Sequence, residues 1–247
     1  MIKNSEFNMD YKLEICANSI ESALAAQSGG ADRIELCDNM SEGGTTPSYG
    51  TIKRCKDLLG IPVFPIIRPR GGDFVYTEEE FEVMKADVQM SKDLGCEGVV
   101  LGILTRDGNI DVDRCSELIT LARPMQVTFH RAFDCCIDMK KGLEDIISLG
   151  CERVLTSGGA AHVYEGIDVI KDLVEHADGR VIVMAGSGIK EDNLPDMLVG
   201  SGGTEFHSTA KIEMNSRYTF NNTANVIGSF YQTDKSIVKI MKELLTQ

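Results

Sequence analysis

Glu14 and Cys16 lie two residues apart in LEIC, as do Glu35 and Cys37 in IELC, so in an extended chain each pair puts a carboxylate and a thiol on one face. If Leu13, Ile15, Ile34 and Leu36 pack outward, two carboxylates and two thiols converge on an interior. Arg68 closes a third apolar run, His130 shares its parity with Thr128 in a fifth, and His207 shares its parity with Glu205 in an eighth. Glu14, Glu35, Arg68, His130 and His207 are therefore candidate catalytic residues, Arg68 to clamp an anion and the glutamates and histidines to act as general acid and base or to hold a hard divalent ion. The competing reading is a buried ion-pair network, because an interior glutamate must be paired or neutralised. Soft thiolates prefer Cu(I), whereas carboxylates suit Mg²⁺, Ca²⁺ or Mn²⁺. By residue type alone, Cys16 and Cys37 read as small buried apolar side chains.

A second group could bind an anion. TSGG at 156–159 and AGSGI at 185–189 follow the sixth and seventh apolar runs, and their backbone N–H groups make Ser157, Gly158, Gly186, Ser187 and Gly188 candidate anion ligands. Arg68 and Arg70 flank Pro69 and offer cationic forks to a carboxylate or phosphate. Tight strand-to-helix turns and solvated surface arginines are the plainer readings. The CC pair at 135–136 lacks the second spaced pair of a zinc site.

These residues need a scaffold that brings eight strand ends together. Short β-type runs alternate with helix-type segments: LEIC (13–16), RIELC (33–37), PVFPIIRP (62–69), GVVLGIL (98–104), QVTFHR (126–131), RVLTS (153–157), RVIVMAG (180–186) and TEFHS (204–208). SGGADRIEL, LGCEGVVLG and LGCERVLTS each run from a helix-ending glycine into a strand, repeating one unit. Eight units in 247 residues fit a single-domain (β/α)₈ TIM barrel over residues 12–247 better than an open doubly wound sheet. Residues 1–11 read as an N-terminal extension outside the fold, its polar opening MIKNSEFN having the look of a vector remnant. Pro65 conflicts with a central strand and points to a bulge, and NSRYTFNNTANVIGSFYQTD (215–234) reads as a loop before a terminal helix SIVKIMKELL.

Bulk properties narrow the partners. A net charge of −13 repels nucleic acid and anionic membranes. Eight cysteines scattered through a core-rich chain read as reduced thiols in a cytoplasm, and there is neither a membrane-length apolar run nor a signal-peptide core.

The runs LEICANSIESALAAQSGGADRIELC, EGGTTPS, PIIRPRGGDF, TFHRAFD, RVLTSGG, VIVMAGSGI and EFHSTA, in that order, resemble the CutC family over residues 12–210. The resemblance implies a TIM barrel, a cytoplasmic homo-oligomer, a part in copper homeostasis and Cu(I) ligation by Cys16 and Cys37. It implies no settled reaction. Whether the chain is an enzyme stays open, the alternative function being catalysis on a small anionic metabolite at the C-terminal barrel mouth.

Overall fold

A computed structural model describes residues 10–217 and 229–246. Eight parallel strands, β1 (Lys12–Ala17), β2 (Arg33–Leu36), β3 (Val63–Pro65), β4 (Gly98–Leu101), β5 (Gln126–Phe129), β6 (Arg153–Thr156), β7 (Ile182–Ala185) and β8 (Glu205–Ser208), form one sheet in the order β3-β2-β1-β8-β7-β6-β5-β4. The two end strands meet through a bridge between Ile66 and Val100 and a 2.7 Å bond from the Ile67 N–H to the Val100 carbonyl, which nearly closes a TIM barrel. Helices α1 (Ile20–Gly29), α2 (Tyr49–Leu58), α3 (Glu78–Asp93), α4 (Val112–Ala122), α5 (Met139–Leu149), α6 (Ile167–Ala177), α7 (Leu194–Gly200) and α8 (Lys235–Leu244) follow the strands in turn. Every strand expected from the sequence is present.

Local chemistry sets the element ends. Thr77 and Glu80 form a reciprocal capping box at the start of α3, whose first turn carries Glu78, Glu79 and Glu80 against the positive end of the helix dipole. Gly30 ends α1 at φ 95°, a left-handed conformation that glycine adopts without a Cβ clash. Strand parity then divides the interior. Leu13, Ile15, Ile34 and Leu36 are fully buried between strands and helices, while Cys16, Cys37, Phe64, Ile66 and Val100 cluster inside the barrel. A Cβ on Gly98 would lie 2.3 Å from the Phe64 ring, so that strand position must be bare for the phenyl group to cross the barrel.

Pro65 sits in β3 without a bulge there. The Ile66 N–H bonds Leu36 of β2 and the Ile67 N–H bonds Val100 of β4, so the proline falls just before the ladder to β4 begins. The expected loop at 215–234 is corrected at its far end: Phe230–Thr233 is a strand, β10, antiparallel to β9 (Lys211–Met214). The β-type run FYQT finds a partner in the equally short KIEM, which lies past the eight-unit repeat. Residues 218–228 of that segment, and residues 1–9 of the expected extension, lie outside the described residues. No described helix is long and apolar enough to cross a membrane.

Candidate functional site

The barrel interior is polar in its lower layer. Arg33 donates through Nε to Glu14 and through Nη2 to Glu205 at 2.6 Å, and Arg153 donates through Nε to the same Glu205 oxygen at 2.8 Å and through Nη2 to Gln126 at 2.7 Å. Both guanidinium groups lie over the Phe64 ring, 5.2 and 5.5 Å from its centroid. Two carboxylates and two arginines thus pair their charges at the bottom of the barrel, as buried charges require, although Arg153 Nη1 is left without a hydrogen-bond partner among the described residues. Neither arginine stands out in the sequence, because each begins its strand, where a charge reads as solvated.

Above this layer sit three residues of adjacent strands. β1 pairs Glu14 with His207 of β8 and Cys16 with Glu35 of β2. Glu14 Oε1 meets His207 Nδ1 at 2.7 Å, His207 Nε2 stands 3.6 Å from Glu35 Oε2, and Cys16 Sγ stands 3.5 Å from Cys37 Sγ. One donor atom each from Cys16, Glu35 and His207 lies within 4.8 Å of the other two. Burial opposes ionisation of Glu14, but the Arg33 charge and the His207 bond outweigh it and bring its pKa down to about 2. Burial, and then the Glu14 charge, push Glu35 up. Burial also disfavours the His207 cation, yet the Glu35 charge and the Glu14 bond hold that pKa above the ordinary imidazole value. The Cys16 thiol is pushed well up by its bond to Cys37 and by burial.

Cys16, Glu35 and His207 form the floor of a cavity of about 800 Å³ at the C-terminal ends of the strands, with Arg68, Phe74, His130 and Ser187 among its walls. Arg68 is tied by Nη1 to the carbonyls of Glu42 (2.6 Å) and Gly44 (2.7 Å) and by Nη2 to that of Gly72 (2.7 Å). His130 accepts the Ala132 N–H at Nδ1 (3.2 Å), so its neutral ring carries the proton on Nε2. Burial and the Arg68 charge push its pKa down to about 3. Arg68 Nε and His130 Nε2 are buried and lack a partner among the described residues, and the Phe74 ring packs against both side chains.

The expected anion group is dispersed. Arg70 turns away from the cavity to Glu80 (2.6 Å) and Asp73 (3.0 Å). Asp134, which sequence reasoning missed, places its carboxylate in the turn after β6: it accepts from Thr156 Oγ1 (2.5 Å), from the Ser157 N–H (3.0 Å) and hydroxyl (2.9 Å), and from the Gly159 N–H (3.1 Å). The Gly158 N–H bonds Thr156 Oγ1 and the Gly186 N–H bonds the Thr156 carbonyl, both at 2.9 Å. The protein's own carboxylate therefore fills the nest at Ser157, while Ser187 (φ 83°) and Gly188 (φ 89°) remain on the cavity wall. The aspartate that closes TFHRAFD was the visible signal, since a carboxylate is well matched to several converging N–H donors.

The family model described as CutC family matches residues 11–212. The chain is 48% identical over 230 residues to a "Copper homeostasis protein cutC homolog" of Homo sapiens, covering 93% of this chain and 84% of the human one. It is 51% identical over 203 residues to a family protein CutC of Chromobacterium violaceum, covering 82% of each. Among solved structures, a copper homeostasis protein CutC from Streptococcus agalactiae superposes with a TM-score of 0.77 at 36% identity, covering 81% of this chain and 98% of that one. A thiamine phosphate pyrophosphorylase from Pyrococcus furiosus, at 13% identity and a TM-score of 0.60, shares the fold alone.

Proposed function

The chain belongs to the CutC family, and from that premise we propose that it serves copper homeostasis in the cytoplasm by binding Cu(I) as cargo through the thiolates of Cys16 and Cys37. The observation that carries this reading is the 3.5 Å approach of the two sulfurs inside the barrel, with Cys16 also on the cavity floor. Two adjacent thiolates are a donor set that suits a soft monovalent ion and no hard one. Cys37 is fully buried beneath Gly44, so the ion enters from the Cys16 side. Because the metal must displace a proton held by a thiol whose pKa is pushed well up, Cu(I) affinity rises with pH.

An anaerobic competitive Cu(I) titration tests this, comparing the parent with a Cys16→Ser, Cys37→Ser double variant. Stoichiometric binding lost in the variant is the expected result; binding unchanged by the double substitution sinks the assignment. The family resemblance also leads us to expect a homo-oligomer, which sedimentation of the copper-free and Cu(I)-loaded protein checks.

A second reading rests on a different observation: two buried donors, Arg68 Nε and His130 Nε2, without hydrogen-bond partners among the described residues beside a cavity of about 800 Å³. Unsatisfied buried donors are costly and collect at sites that complete themselves with a ligand. A small carboxylate or phosphate metabolite that displaces Phe74 would satisfy both, with Glu35 and His207 placed for proton transfer. Thermal shift against a panel of small carboxylates and phosphates tests it, since Arg68→Gln should erase any stabilisation that the parent shows.

A further inference from the structure

We infer that Cys16, Glu35 and His207 form a divalent metal site of the zinc class, with a coordination position open to the barrel-mouth cavity. One sulfur, one carboxylate oxygen and one imidazole nitrogen from three neighbouring strands already stand within 4.8 Å of one another. That mixed S, O and N set suits the borderline Zn²⁺ ion, whereas Cu(I) favours two sulfurs. All three side chains line the cavity, so a metal held by them keeps an exposed side, the arrangement of three protein ligands plus an exchangeable one.

The setting of His207 is an independent sign. Its Nδ1 meets the Glu14 carboxylate at 2.7 Å and so carries a proton, which leaves Nε2, facing Glu35, as the nitrogen that binds a metal once its own proton is displaced. A carboxylate that fixes tautomer and ring orientation behind a ligating imidazole is the usual support of such a nitrogen. Glu14 is in turn held by Arg33, so its charge is balanced outside the site. A dication bound by the Cys16 thiolate and the Glu35 carboxylate then leaves the buried centre electrically neutral. The open position takes water or an oxygen of a small ligand in the cavity, facing the wall that carries Arg68 and His130.

This site shares Cys16 with the copper reading but uses Glu35 and His207 in place of Cys37, so the two metals exclude each other and can be tested apart. Metal-free, reduced full-length protein is titrated anaerobically with Co²⁺, a spectroscopic stand-in for Zn²⁺. One equivalent is expected to give a thiolate-to-cobalt charge-transfer band and visible ligand-field bands. Cys37→Ser should retain both, Cys16→Ser should lose the charge-transfer band, and Glu35→Gln and His207→Gln should each weaken binding by about tenfold or more. Far-UV circular dichroism identifies a variant that has not folded; the parent titration and the near-isosteric Glu35→Gln then decide. No band in the parent at millimolar Co²⁺ overturns the site, as does a band erased by Cys37→Ser but untouched by Glu35→Gln. Loss of Cu(I) binding in Cys37→Ser alongside retained Co²⁺ binding would support both readings at once.

Discussion

His130 and His207, both on the cavity lining, have pKa values shifted in opposite directions, and this gives stability a pH dependence that can be dissected. His130 stays neutral in the fold to about pH 3, whereas the unfolded chain protonates it near 6.5, so this residue costs stability progressively as pH falls from 6.5 toward 3. His207 has a raised pKa; its contribution is complete below 6.5 and is lost as pH rises through the folded value. Glu14, lowered to about 2, contributes above 4.5 and loses that contribution as pH falls through 2. Urea midpoints measured from pH 4 to pH 8, on the order of the window these groups span, should therefore show two separable slopes. His130→Asn should flatten the acid side, and His207→Gln should flatten the decline that sets in as pH rises above 6.5. An acid slope identical in His130→Asn and parent would show that the imidazole takes up a proton in the native state. The parity of Glu14 with Cys16 and of Glu35 with Cys37 was readable because strands alternate faces with a period of two. The partners Arg33 and Arg153 were not, since nothing in a single chain tells a strand-opening arginine that turns inward from one that meets solvent.

Strands carried the clearest pattern and the connecting turns the faintest. All eight strands follow from apolar runs, but Arg68 and Arg70, equal in type and parity, part company in the structure. Arg68 stays inward on three carbonyls while Arg70 swings to the first turn of α3, a separation set by the loop past Ile67 rather than by either residue. The turn after β6 makes the same point, because its N–H groups look like an anion site until Asp134 occupies them. Asp134→Ala should leave the proton of the fully buried Thr156 hydroxyl and the Ser157 N–H without an acceptor, costing about 2 kcal/mol or more, with faster amide exchange at Ser157 and Gly159 as the local signature. Unchanged exchange there would mean that the turn holds its shape without the carboxylate. Two strands away, on β4, Gly98→Ala would place a methyl group 2.3 Å from the Phe64 ring on which both arginines lie. Overpacking of that kind costs about 1–3 kcal/mol, measurable as a lowered urea midpoint with little change in slope.

At the scale of the whole barrel, closure is unequal around the ring. β1 is paired over four residues on each side, with β2 and with β8. The ladder between β3 and β4 is reduced to the Ile66–Val100 bridge and the bond from the Ile67 N–H, since Pro65 supplies no N–H to extend it. The least supported seam should open first, since local stability follows the hydrogen bonds and packing that must break together. Native-state hydrogen exchange should therefore show the Ile67 amide opening at lower free energy than the amides of β1. The seam also ends in Ile66 and Arg68, both on the cavity wall, so anything that fills the mouth and engages Arg68 should tighten it, whereas an ion bound only on the floor between β8, β1 and β2 should slow exchange there first. Comparing exchange at Ile67 and in β1, with and without metal, thus separates a floor-bound ion from a ligand spanning the mouth. Equal protection of Ile67 and β1 in the free protein would instead mean that the barrel opens as one cooperative unit despite its uneven ladder.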